Sequence, residues 1–162
     1  MEYQVLDIIE GTSVDGPGLR VSIYFAGCKH YCEGCHNPQS WDFDSGKTMT
    51  DVEILNIIKF NEMNVTLTGG DPLYNPEKIA HLCNKIKAET GANIWCYTGF
   101  TWEEICADAK LLEVINHTDV IVEGRFMLDK RDISLRFRGS SNQRIIDVSK
   151  SLETGNIVLA TI

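Results

Sequence analysis

Three cysteines lie within eight residues of one another, in the segment Cys28-Lys29-His30-Tyr31-Cys32-Glu33-Gly34-Cys35. The C-x3-C-x2-C spacing, with Gly27 and Gly34 freeing the backbone to curl, lets the three thiols converge on one metal centre. Cysteine thiolates bind zinc or iron–sulfur clusters, and a cubane cluster normally uses four of them. Three thiolates leave one iron open to a chelating substrate, which it can polarise or reduce. The spacing therefore favours a reactive iron–sulfur cluster.

A structural zinc site of the Cys3His type is the alternative, with His30 or His36 as the fourth ligand. Structural zinc modules usually contain paired C-x2-C knuckles, and the sequence has no second pair. The remaining cysteines stand singly on apolar helix or strand faces, at Cys83, Cys96 and Cys106. Isolated cysteines of this kind behave as small hydrophobic side chains, so we expect these three in the core.

Length and composition limit the class of protein. The chain has 162 residues, of which 43% are hydrophobic and 23% charged, as expected of one globular domain. Its net charge of -8 disfavours nucleic-acid binding, because a phosphate backbone would be repelled. The sequence shows neither a run of roughly 18 apolar residues nor the basic and apolar start of a signal peptide. We therefore expect a single domain over residues 1–162, cytoplasmic, with no nucleic acid and no membrane as a partner.

Strands and helices alternate along the chain. Hydrophobic patterning predicts strands at 3–9, 19–26, 64–68, 94–97, 120–122 and 156–162. Capping boxes at Thr50 and Thr101 and a proline at Pro76 predict where three helices begin. Strands separated by helices are typical of βαβ units, so the predicted class is α/β with mostly parallel strands. A full eightfold barrel needs ~250 residues, so the chain suffices only for an open, partial barrel.

The unusual sequence motifs all follow predicted strands directly. In a parallel α/β sheet the carboxyl ends of the strands form a common rim that binds ligands. The motifs at this rim are the cysteine loop (residues 28–35), Gly69-Gly70-Asp71, Thr98-Gly99 and Glu123-Gly124-Arg125. One composite site is therefore predicted.

The cysteine loop resembles that of radical S-adenosylmethionine enzymes, in which three cysteines hold a [4Fe-4S] cluster and the fourth iron binds S-adenosylmethionine. Three further segments resemble the glycyl-radical-enzyme activases of that superfamily, namely residues 14–20, 35–41 and 68–72. The short chain and the segment Arg138-Gly139-Ser140-Ser141-Asn142-Gln143-Arg144 are similar to the branch that activates anaerobic ribonucleoside-triphosphate reductase. The resemblance runs nearly end to end and implies a partial (β/α) barrel of the radical S-adenosylmethionine type.

The resemblance also implies roles for single residues. Cys28, Cys32 and Cys35 would be the catalytic centre and the three ligands of one [4Fe-4S] cluster. S-adenosylmethionine would lie with its adenine beside Gly34, Cys35 and His36. Its methionine end would meet Gly69, Gly70 and Asp71.

Two positions depart from the superfamily pattern. Gly34 stands where these enzymes commonly have an aromatic residue, so a side-chain contact to adenine is expected to shift to His36. Asp71 stands where many relatives have glutamate, so its reach to the ammonium group of the cofactor is one methylene shorter. We therefore expect a water molecule between Asp71 and that ammonium.

The activity implied by the resemblance is that of an oxidoreductase. It would cleave S-adenosylmethionine reductively, and the 5′-deoxyadenosyl radical would take hydrogen from a glycine of the large anaerobic ribonucleotide reductase subunit. A flavodoxin- or ferredoxin-like protein would donate the electron. Alternatives are a radical enzyme acting on another glycyl radical enzyme or a small molecule, and a non-catalytic zinc-binding interaction module. Candidate partner contacts are the loop 13–18 and the basic segment 136–144, whose arginines could instead pair internally.

Overall fold

The computed structural model describes all 162 residues and contains seven strands and five helices. In chain order the strands are β1 (Glu2–Thr12), β2 (Arg20–Phe25), β3 (Lys47–Thr50), β4 (Asn64–Gly69), β5 (Ile94–Tyr97), β6 (Val120–Glu123) and β7 (Arg144–Asp147). The helices are α1 (Asp51–Asn61), α2 (Pro76–Thr90), α3 (Trp102–Cys106), α4 (Ala109–Ile115) and α5 (Val148–Thr154). None of them has the length and apolar character that a membrane span requires.

All seven strands form one sheet in the order β3-β1-β2-β4-β5-β6-β7. The four neighbouring strands β2, β4, β5 and β6 are parallel. The outer pairings, β3 with β1, β1 with β2 and β6 with β7, are antiparallel, so only β1 and β7 run against the others. The sheet is open, because its edge strands β3 and β7 do not pair with each other. The predicted α/β class with mostly parallel strands is confirmed.

Both faces of the sheet are buried in its centre. On one face, side chains such as Val21, Ile23 and Leu67 pack against the helices in a single core. On the other face a smaller cluster forms around Trp95 and Val122. Alternate side chains of β2 therefore lie on opposite faces of the sheet, and both faces are buried. The second face adjoins the candidate site.

Arg20 is the most polar residue buried on that second face, with only 1% of its surface exposed. Its guanidinium donates to Thr66 Oγ1 at 2.9 Å, to the Val65 carbonyl at 2.9 Å and to Asn93 Oδ1 at 2.8 Å. A fourth bond, of 3.2 Å, goes to the carbonyl of Pro17. Burial lowers the pKa of Arg20 to about 10. Arg20 thereby ties the loop before β2 to the interior of the sheet.

Several element boundaries differ from the sequence-based expectations. The four-residue strand β3 was not predicted, because so short a segment shows no resolvable period. The helix expected after Thr101 is two helices, since Asp108 caps a new one by accepting from the backbone N–H groups of Lys110 and Leu111. Thr50 and Thr101 cap their helices as predicted, although only Thr101 forms the complete capping box. Asn75 precedes α2 as expected but makes no capping hydrogen bond with its side chain.

The predicted terminal strand at 156–162 is wrong. Residues near Leu159 form only an isolated bridge with Ile146, although backbone bonds of 2.8 and 2.9 Å flank it. The edge strand at this position is β7, which turns into α5 after four residues. Because β7 is so short, the terminal segment cannot form a continuous β-ladder with it.

Candidate iron–sulfur cluster site

A cavity of about 330 Å³ lies at the carboxyl ends of the parallel strands. Its lining draws on all four predicted motifs: the three cysteines of the loop, Gly69-Gly70-Asp71, Thr98-Gly99 and Gly124. His36 also lines it, whereas Gly34 does not. Cavities of this size are typical of small-molecule sites. The structure thus brings the motifs together as one composite site.

Backbone N–H groups lie close to the sulfurs of the cysteine loop. The N–H of Asn37 donates to Cys35 Sγ at 3.4 Å, and the backbone N–H of His30 acts to lower the pKa of the Cys28 thiol. Burial nevertheless raises the pKa of the Cys28 thiol to about 11. Such N–H donors stabilise a thiolate and, in iron–sulfur proteins, tune the cluster.

The third thiol, Cys32, receives its donor from a different part of the chain. Burial raises its pKa, while the backbone N–H of Phe126 and the charge of Arg125 act in the opposite direction. Arg125 is held by both carboxylate oxygens of Glu104. This ion pair lowers the pKa of Glu104 to about 2. The segment after β6 therefore contributes both a donor and a positive charge beside the cysteine loop.

The geometry does not favour a single zinc ion. No three His, Cys, Asp or Glu side chains are arranged to hold one metal ion. Both ring nitrogens of His30 are engaged, Nε2 with Asp71 at 2.7 Å and Nδ1 with the hydroxyl of Tyr74 at 3.3 Å. His36 is exposed, and its ring lies 5.2 Å from that of Phe126. In a cluster each thiolate binds a different iron, so the three sulfurs do not need to meet at one ion.

Local structure explains why position 34 is a glycine. Its φ of +77° is in the left-handed region, and a Cβ there would lie 2.7 Å from Leu128 Cδ1. A larger side chain at this position would meet the side chains of Leu128 and Phe126, which would have to move. Glycine therefore lets the cysteine loop pack closely against residues 126–128.

The Gly69-Gly70-Asp71 turn packs against the protein's own backbone. The N–H of Gly70 donates to the carbonyl of Phe25, and that of Asp71 to the carbonyl of Gly27, both at 2.8 Å. A Cβ at Gly70 would lie 2.5 Å from the Gly27 carbonyl oxygen. Because the two glycines have no side chains, this turn can pack against the backbone where the cysteine loop begins and support it.

The side chain of Asp71 is held by hydrogen bonds within the protein. It accepts bonds from Thr98 Oγ1 at 2.9 Å, the Gly99 N–H at 2.8 Å and the Leu73 N–H at 2.9 Å, in addition to its contact with His30. Only 1% of the side chain is exposed. The motif reasoning missed His30 and Thr98 as partners of this carboxylate, because their contacts join segments far apart in the chain.

The structure agrees with some of the other sequence-based expectations and differs from others. Cys83 and Cys96 are fully buried as predicted, but Cys106 is exposed because α3 ends at that residue and Ile105 occupies the core position. Glu123 is buried against Arg144 rather than facing the cavity. Residues that line the cavity without having been predicted there include Asp15, Tyr24, Phe126 and Arg138.

Comparison with known proteins shows the family. Residues 14–146 match the family described as a 4Fe-4S single cluster domain. The anaerobic ribonucleoside-triphosphate reductase-activating protein of Escherichia coli K12 is 38% identical over 151 residues, which cover 88% of this chain and 94% of that protein. The protein of the same name from Pasteurella multocida is 37% identical over 90% of this chain and 94% of its own length. That of Enterobacteria phage T4 is 40% identical over 82% of this chain and 86% of its own. The chain therefore belongs to the family of anaerobic ribonucleoside-triphosphate reductase-activating proteins, with a 4Fe-4S single cluster domain.

Proposed function

We propose that this protein activates an anaerobic ribonucleoside-triphosphate reductase by generating a glycyl radical on it. In this proposal Cys28, Cys32 and Cys35 hold one [4Fe-4S] cluster, and S-adenosylmethionine binds in the adjoining cavity. The open sheet would then be a partial barrel of the radical S-adenosylmethionine type, formed by residues 1–162 as one domain. The names of the relatives support the reductase as the partner.

One observation carries the proposal: the three thiols line the same cavity as the glycine turn after β4. A purely structural cluster would take a fourth ligand from the protein and would not require space for another molecule beside it. Here space for a small molecule opens next to the thiols. The residues present therefore fit both a three-cysteine cluster and a ligand beside it.

The chain's own residues hold and shield these groups. When bound, the cluster supplies the electron that cleaves S-adenosylmethionine to methionine and a 5′-deoxyadenosyl radical, which takes a hydrogen atom from glycine. The thiolates of the cysteine loop would hold the irons, and the backbone N–H groups of His30, Asn37 and Phe126 would donate to the sulfurs. Arg138 lines the cavity and donates from Nη1 to the Gln143 carbonyl at 2.8 Å, so it would place a positive charge beside a bound ligand. The electron would come from a flavodoxin- or ferredoxin-like donor.

Anaerobic reconstitution with iron and sulfide tests the proposal. We expect a brown protein that binds cluster iron, changes its paramagnetic resonance spectrum on addition of S-adenosylmethionine, and releases 5′-deoxyadenosine when reduced. Mixed with an anaerobic ribonucleoside-triphosphate reductase, it should leave a stable glycyl radical on that protein. A colourless protein that binds zinc in place of iron would contradict the proposal and favour the interaction module.

A second prediction concerns the surface that contacts the reductase. Among the arginines at 136–144, Arg144 pairs with Glu103 and Glu123, and Arg138 lines the cavity. Arg136 alone is exposed, with its guanidinium 4.9 Å from the ring centre of Phe137. We expect Arg136→Glu to lower radical transfer severalfold and to change its salt dependence, because rim charges mainly steer association. Reductive cleavage of S-adenosylmethionine without the reductase should persist.

The matched control is Lys47→Glu, the same change of charge at an exposed residue of β3, at the opposite edge of the sheet from β7. It should leave radical transfer unchanged. Equal losses in both variants would mean that net charge matters and that Arg136 contacts no partner.

A further inference from the structure

The carboxylate of Asp71 joins three segments of the site. Oδ2 lies 2.7 Å from His30 Nε2 in the cysteine loop, 2.9 Å from Thr98 Oγ1 and 2.8 Å from the Gly99 backbone nitrogen after β5. Oδ1 accepts from the backbone N–H of Leu73 at 2.9 Å. Asp71 itself ends the turn after β4. A single side chain thus connects the cysteine loop with the ends of two neighbouring parallel strands.

His30 is the member of this group that belongs to the cysteine loop. It stands between Cys28 and Cys32, and only 3% of its side chain is exposed. Its ring packs 4.9 Å from that of Tyr74 and 4.7 Å from that of Phe100. With Nε2 donating to the carboxylate, Nδ1 is free to accept from the Tyr74 hydroxyl at 3.3 Å. The hydrogen bonds and the packing together hold this ring in one orientation.

The space around the ring is closed as well. A Cβ at position 99 would lie 2.5 Å from His30 Cδ2, so Gly99 is needed for the ring to sit against the turn after β5. The next loop residue, Tyr31, has a φ of +51°, a left-handed conformation that costs free energy for a residue other than glycine. Such a conformation persists only where its surroundings hold it. The anchored ring next to it provides that constraint.

An ionised carboxylate has about four lone-pair sites, and four donors already face Asp71. Its side chain is 1% exposed. Three of these donors face Oδ2 and one faces Oδ1, and a further donor, such as the ammonium group of a cofactor, would reach the carboxylate only if the residues that bury it moved. The carboxylate is therefore committed to the protein itself.

We propose that Asp71 and His30 are positioning residues, which lock the cysteine loop onto the ends of β4 and β5 and thereby set where its thiols lie. The proposal rests on the proposed function in one respect: the thiols that the lock places are the cluster ligands. In this proposal the acidic residue of the glycine motif holds the cysteine loop in place and does not contact S-adenosylmethionine directly. Buried charge-assisted bonds of this kind are costly to break, since they leave a desolvated group unpaired.

Glutamate at position 71 distinguishes the two roles. Were the carboxylate a cofactor ligand, Asp71→Glu would extend its reach and keep or improve binding. As a lock, the carboxylate has no room for another methylene, so Asp71→Glu should release iron to a chelator on the order of tenfold faster, as expected for groups that orient metal ligands. The protein that retains its cluster should still respond to S-adenosylmethionine in its paramagnetic resonance spectrum.

His30→Gln tests the other half of the lock, with His117→Gln, outside the cavity and following α4, as the matched control. His30→Gln should also release iron on the order of tenfold faster, and His117→Gln should not. If Asp71→Glu does not fold, His30→Gln decides the question, because it leaves Asp71 its other three donors.

Hydrogen exchange of the metal-free protein separates this inference from the proposed function. In both lock variants the backbone amides of residues 28–35 should exchange faster than in the wild type, whether or not a cluster binds. Unchanged exchange and iron release in His30→Gln would overturn the lock. Tighter cofactor binding with a stable cluster in Asp71→Glu would do so too. A wild-type protein that takes up no cluster would instead overturn the proposed function.

Discussion

Replacing any one of Cys28, Cys32 and Cys35 by alanine is expected to abolish cluster binding. The three thiols line one cavity, and the other three cysteines of the chain lie outside it. A cubane held by two thiolates is labile, because it has lost one of only three protein ligands. Iron and sulfide per chain, measured after anaerobic reconstitution, should fall to background in each of the three variants.

The other cysteines are the matched controls. Cys83 and Cys96 are fully buried, so their alanine variants should lose about 1 kcal/mol of stability from the small cavity and keep the cluster. Cys106 is exposed, and its replacement should change neither quantity. Retention of the cluster in Cys32→Ala, or its loss in Cys106→Ala, would show that the ligands have been assigned to the wrong thiols.

Alanine at position 70 should have an effect nearly as large. In the structure its Cβ would lie 2.5 Å from the Gly27 carbonyl oxygen and 2.9 Å from that of Ser40, both backbone atoms at the ends of the cysteine loop region. Because backbone cannot rotate away, we expect Gly70→Ala to cost about 3 kcal/mol of unfolding free energy. The cysteine loop should shift, so cluster binding and the response to S-adenosylmethionine should fall together.

Gly91→Ala is the control for this exchange. Gly91 ends α2 with a φ of +65° and has no atom within 4 Å of the Cβ position. Its replacement should cost about 1 kcal/mol, from backbone strain alone, and should leave the cluster content unchanged. A Gly70→Ala protein with wild-type iron content and stability would mean that the turn after β4 does not support the cysteine loop.

Local sequence was sufficient for most elements and for the location of the site. The strands of the parallel centre were predicted because their apolar runs end at glycine-containing turns, and helix starts were marked by Thr50, Pro76 and Thr101. The convergence of four strand ends on one cavity followed from the parallel α/β class, since all carboxyl ends of such strands lie on the same side. Short elements without a full period, such as β3 and β7, could not be predicted in this way.

The role of each charged side chain depended on tertiary structure. The alternating pattern of β2 does not show whether Arg20 faces solvent or the protein interior. Only the packed structure shows that Arg20 is buried and forms hydrogen bonds to Thr66 and Asn93. Arg136 and Arg144 likewise belong to the same basic segment, yet one is exposed and the other pairs with Glu123.

The sequence by itself determined which chemistry this protein can hold, because three cysteines at C-x3-C-x2-C spacing on a glycine-flanked loop are a local property of the chain. Tertiary structure alone decided what surrounds them. His30 meets Asp71 across 41 positions of sequence, and the backbone N–H of Phe126, after β6, acts to lower the pKa of the Cys32 thiol against the effect of burial. Such partners carry no signal in local spacing, because long-range contacts depend on how β4, β5 and β6 are placed side by side. The three candidate ligands could therefore be predicted from the chain, and the contacts that hold their loop could not.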